Sequence, residues 1–129
     1  MKNIRFIHIV AMSSVFVLSG CFSEDVPSDG YDSSLHKKTA GAAVYSSFEK
    51  LCGAKRIDEY RQSFINKMKR ERSLTAEAEN KIKAVFANTD TSVASRFSNP
   101  AAKKTQCENY PANQAIIDRG IAGDFSGQI

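Results

Sequence analysis

The chain has 129 residues, a formal net charge of +4 and three cysteines, with 25% of its residues charged. That length allows one small domain with a single core. The modest charge excludes the basic footprint of a nucleic-acid binder, because Lys2 and Arg5 lie in a terminal segment that reads as removable. Residues 21–129 keep 16 Lys+Arg against 14 Asp+Glu, a formal +2.

At the N-terminus Lys2 and Arg5 precede an apolar run from Phe6 to Leu18, too short to span a bilayer as a stable helix and proportioned like a secretory signal. The run closes on Leu18-Ser19-Gly20-Cys21. This four-residue box, behind a positive and then an apolar region, resembles the lipobox of bacterial lipoproteins. The resemblance implies cleavage before Cys21, a lipid on its sulfur and a further chain on its amine. One acyl chain binds a membrane marginally and several hold it durably, so Cys21 would be the membrane anchor. By the same resemblance, Phe22 in place of an aspartate after the cysteine points to the outer membrane, facing the periplasm.

Residues 21–34 read as the lipidated N-terminus and a flexible tether. Pro27 and Gly30 break any regular pattern, and Glu24, Asp25, Asp29 and Asp32 would keep the segment extended and away from anionic head groups. From about Leu35 apolar residues recur at helical spacing, with Val44, Phe48 and Leu51 on one face and Tyr45 and Cys52 beside them, until Gly53 interrupts. Ile57, Tyr60, Phe64, Ile65 and Met68 form the clearest stripe in the chain. The opposite face of that second helix collects Lys55, Arg56, Lys67, Lys69, Arg70 and Arg72, with Arg61 nearby. This is a candidate contact surface for an acidic partner, although charge runs are commonly solvated helix faces.

A third helix opens at Ser73 or Thr75, carries Glu77 and Glu79 in its first turn, and turns Ala78, Ile82, Val85 and Phe86 inward. The period reaches Val93 and Phe97. The poor helix formers Asn88-Thr89-Asp90-Thr91 leave one long helix and two short ones equally allowed. Asn99-Pro100 reads as an N-cap followed by proline at the first helical position, starting a short helix toward Cys107. A last helix holds Ile116, Ile117 and Ile121 and ends among Gly120, Gly123 and Gly127, beyond which the tail is expected to fray. No stretch alternates like a strand. The expectation is an all-α bundle of about four helices over residues 35–129, behind the signal (1–20) and the tether (21–34).

In an oxidising compartment, with Cys21 used by lipid, the remaining Cys52 and Cys107 most simply form one structural disulfide. No CxxC motif supports a catalytic redox centre. His8 and His36 are the only histidines, too few for a zinc site, so neither metal nor cofactor is expected. Ser126 sits in Gly123-Asp124-Phe125-Ser126-Gly127, where the first glycine is one residue too early for a nucleophile elbow. Adjacent acids such as Asp58-Glu59 do not face each other on a helix, and no phosphate loop or calcium loop occurs.

A non-enzymatic, lipid-anchored envelope protein binding another protein is therefore expected, with a secretion or conjugation system as the machinery it would assist. In overall plan the chain resembles the pilotins, small helical disulfide-bonded lipoproteins of secretion systems, although no pilotin motif occurs in residues 35–129. The alternative is a periplasmic inhibitor of a cell-wall hydrolase or effector, which would present a protruding loop with a polar key residue.

Overall fold

The computed structural model describes residues 28–128; the signal segment, the lipobox and Cys21 lie outside them. Five helices occur, α1 (Ser33–Leu51), α2 (Ile57–Glu71), α3 (Ala76–Arg96), α4 (Pro100–Asn109) and α5 (Gln114–Ile121), with no strand among the described residues. One disulfide joins Cys52 to Cys107, their Cα atoms 5.3 Å apart. The all-α class holds, and the helix count is five rather than about four. The short helix expected from Asn99-Pro100 is present as α4, and it contributes no buried residue to the bundle.

Local chemistry sets most of the boundaries. Asp32 caps α1 by accepting from the Leu35 amide, Thr75 caps α3 through the Ala78 amide, and Asn99 caps α4 with Pro100 at its first position. Both α1 and α5 end in the same glycine motif. Gly53 N–H donates to Lys50 O and Ala54 N–H to Glu49 O, while Gly123 and Asp124 repeat the pattern on Gly120 and Arg119. It needs a left-handed residue, and Gly53 (φ 92°) and Gly123 (φ 95°) supply it without a side-chain penalty.

Helices α1 and α3 run side by side in the same direction, with Asp29 beside Thr75 at one end and Ser47 beside Asp90 toward the other. Helix α2 returns antiparallel across them, so that Arg61 meets Ser46 and Arg72 meets Asp32. The short α5 lies along α2, with Gln114 on Lys55 and Ser63 donating to the Gly120 carbonyl. The predicted α2 stripe is buried in full and meets Leu35, Ile82, Phe86 and Ile117. Phe64 packs edge-to-face on Phe86 and Phe125, each pair of rings 5.9 Å apart.

The inward face of α1 differs from the one expected. Leu35, Thr39, Ala42, Ala43, Ser46 and Ser47 are buried, whereas Val44 is 49% exposed and Phe48 and Leu51 are only half-buried, outside the main core. Small side chains let neighbouring helices approach closely, and the serine hydroxyls satisfy a buried arginine that an apolar face would have left unpaired. Helix α3 is one uninterrupted helix. Thr89 and Thr91 return their hydroxyls to the carbonyls four residues back, and Asp90 is engaged from outside the helix.

The described parts of both expected loose ends are docked. The described part of the segment assigned to the tether is anchored, because Asp29 is buried and paired with Lys81, Thr75 N–H donates to Asp29 O, and Asp32 meets Arg72 at 2.8 Å. These two acids are held by lysine and arginine and do not serve to extend a chain. The C-terminal tail does not fray. Phe125 is 3% exposed, its ring 5.2 Å from that of Tyr60, and Tyr60 donates to Gln128 Oε1 at 2.7 Å. Gly120 is required at this junction, since a Cβ there would overlap the Tyr60 ring.

Candidate functional site

The six cations expected to form one basic face are dispersed and mostly neutralised. Lys67 pairs with Glu71 at 2.8 Å and Lys69 with Glu79 at 3.3 Å. Arg72 bonds Asp32 and Ser34, bracing the end of α2 against the start of α1. Arg56, left-handed at φ 65° before α2, forks onto Glu59 and lies 3.8 Å from Asp118. Among the described residues only Lys55 and Arg70 of the six have no carboxylate within ion-pair distance. They sit at opposite ends of α2, about 20 Å apart at 1.5 Å per residue. The pairs of Arg56 are exposed on both sides and those of Lys67 and Lys69 on one, so solvent screens them and each contributes little to stability.

The strongest polar constellation is one that sequence reasoning missed. Arg61, 8% exposed, lies under α1 and α3 and forks onto Asp90, with Nη1 2.7 Å from Oδ2 and Nη2 2.6 Å from Oδ1. Its Nε donates to Ser46 Oγ at 2.9 Å, Ser47 Oγ donates to Asp90 Oδ1 at 2.7 Å, and Lys50 reaches Asp90 Oδ2 at 3.2 Å. The guanidinium also lies 5.0 Å from the centre of the Phe86 ring. The Arg61 hydrogen bonds, together with those from Ser47 and Lys50, hold the Asp90 carboxyl below the usual carboxylate range. Such a carboxylate is a poor proton acceptor, so Ser47 beside it is not an activated nucleophile. The group is a clamp on three helices.

Other hydroxyl–acid and ring contacts are local. Ser126 gives its N–H and O–H to Asp124, which Arg119 also contacts, and these bonds lower the Asp124 carboxyl to about 2. Tyr31 Oη lies 2.9 Å from His36 Nδ1 in an exposed pair at the start of α1. Burial raises the Tyr45 hydroxyl to about 12, too high to titrate near neutrality. No group of three His, Cys, Asp or Glu side chains able to hold a metal occurs among the described residues, and no described helix is long and apolar enough to cross a membrane.

The surface hollows are open. One between α2 and the end of α5 is lined by Glu59, Gln62, Ser63, Asn66 and Arg70. Two others meet at the disulfide end, sharing Leu51 and Lys103. One, of about 260 Å3, runs between α1 and α3 past Val93, and one, of about 450 Å3, lies over Cys52, Cys107 and Pro100. Beside them Phe48 and Phe97 stack edge-to-face at 5.6 Å, half-buried and separate from the main core. This end of the bundle is opposite the one where the chain enters at Asp29. It combines a partly exposed apolar floor with Lys50, Lys103 and Lys104. Of the residues singled out from sequence, Cys52 and Cys107 are joined here, Lys55 follows Cys52 by three positions, and the remaining cations lie along α2. No protein-family model, no curated protein and no solved structure matches this chain.

Proposed function

We propose that the chain is a lipid-anchored, non-catalytic protein of the cell envelope that acts as an accessory or adaptor through protein contacts, in service of a secretion or conjugation system. The observation that carries this reading is the succession, in sequence, of basic residues, an apolar run and Leu18-Ser19-Gly20-Cys21. It places a lipid seven residues before the first described residue, and so fastens the bundle at its Asp29 end. The opposite end, with Phe48, Leu51, Phe97 and the lysines of α4, is the surface such a tether leaves for a partner. The polar chemistry of the bundle is spent on holding helices together, which favours a scaffold over a catalyst.

The anchor is tested by feeding labelled palmitate to cells making the full chain or Cys21→Ala. The reading expects label and membrane fractionation for the first and neither for the second; equal labelling sinks it. The contact role is tested by capture from an envelope extract at low and moderate salt. Salt-tolerant recovery of a secretion or conjugation component supports the adaptor, and recovery of a cell-wall hydrolase in its place overturns it in favour of inhibition.

A further inference from the structure

Helix α4 is attached to the molecule in an unusual way. None of its ten residues is buried, and only Gln106 and Cys107 are even half-buried. Its hydrogen bonds and its ion pair, Lys104 with Glu108, are internal. Among the described residues no hydrogen bond or ion pair joins residues 99–112 to another helix. The neighbouring points of attachment lie outside that span, at Phe97 N–H on Val93 O before it and at Asn113 N–H on Glu49 Oε2 (2.6 Å) after it. What holds the middle of the segment is the bond from Cys107 to Cys52 at the end of α1.

Both sulfur-bearing residues are half-exposed beneath the open hollow rimmed by Lys103 and Lys104. Access and nearby positive charge are the conditions that favour attack on a disulfide and departure of a thiolate. An isolated helix of ten residues is not stable in water, because nucleation costs more than so few hydrogen bonds return. The main core, by contrast, includes neither cysteine and draws on no residue of α4.

We propose that Cys52–Cys107 is a thiol-exchange site, a substrate for a dithiol reductant, and that its reduction releases residues 98–112 as a flap while α1, α2, α3 and α5 stay folded. The thiolate of the dithiol attacks one sulfur, forms a mixed disulfide and expels the other cysteine as thiolate. The second thiol of the reductant then closes its own disulfide and expels the remaining cysteine. Two electrons pass to the protein, the two cysteine sulfurs end as thiols after taking up protons, and the reductant ends oxidised. Release of the flap removes one wall of both hollows at this end, so the redox state of the pair controls the surface assigned above to a partner. The release itself does not depend on that assignment.

Hydrogen exchange on the full chain, read by peptide mass spectrometry before and after dithiothreitol, tests the proposal, with Cys52→Ser/Cys107→Ser as an independent route to the open form. The expected result is loss of protection by about 100-fold or more across α4, with less than about threefold change in peptides from α2 and α3. Loss of protection throughout, or unchanged protection in α4, overturns it. Trypsin supplies a second reading. Cleavage after Lys103 and Lys104 is expected to accelerate at least about tenfold on reduction while the α2 lysines stay resistant, and equal acceleration at Lys67 contradicts the flap.

Discussion

Helix α4 and the C-terminal tail are both peripheral segments, and they are attached in opposite ways. Helix α4 is regular, well capped and without one buried residue; the tail after Ala122 has no regular structure, yet it seats Phe125 against Tyr60 and Phe64 in the core. Regular backbone and attachment are therefore separate properties. Capping and hydrogen bonding along the chain make the first, and burial or a covalent bond makes the second.

Phe125→Ala gives the largest expected effect. If the tail is held by this ring, truncation costs about 3–5 kcal/mol in urea unfolding, whereas a frayed tail would lose almost nothing. Arg61→Ala follows, at about 2–3 kcal/mol. This is below the usual cost of breaking a buried pair because Asp90 is partly exposed and keeps Lys50 and Ser47. The same pair gives a pH signature. The folded-state pKa of Asp90 lies below its unfolded value, so its contribution is complete above about pH 5 and fades as the pH falls through the unfolded value. The urea midpoint should drop between pH 5 and pH 2, and Asp90→Asn should flatten that drop.

Replacing both cysteines with serine should cost less than the roughly 4 kcal/mol that loop entropy assigns to cross-linking residues 55 apart. The freed flap gains disorder in the native state and offsets part of the loss. A cost above about 4 kcal/mol would mean that α4 supports the core. Smallest of all, Lys69→Ala should leave the urea midpoint essentially unchanged, as its pair with Glu79 is an exposed contact screened by solvent.

These contrasts also mark what the sequence could reveal. The α2 stripe, the Asn99-Pro100 cap, the α3 start to within two residues (Ser73 or Thr75), the glycine stop at Gly53 and the cysteine pair were legible because each signal is local or follows by elimination. The inward face of α1 was not. Apolar spacing favoured Val44, Phe48 and Leu51, while the actual face is chosen by Arg61, fifteen residues from Ser46, and by Asp90, a further 29 from Arg61. In sequence Arg61 looks like another cation of a solvated face, and Asp90 like a helix breaker. The docking of Phe125 was hidden because a single aromatic among glycines has no periodicity to betray it. The basic surface failed to form as one stripe because Asp32 and Glu79, which neutralise Arg72 and Lys69, come from other parts of the chain.

The most direct test of this account is a double-mutant comparison of Phe125→Ala with Cys52→Ser/Cys107→Ser, each alone and then together, by urea unfolding. Attachment by independent means predicts costs that add within about 0.5 kcal/mol. A coupling above about 1 kcal/mol would show that α4 and the tail hold the bundle through shared contacts, and would contradict the separation on which the account rests.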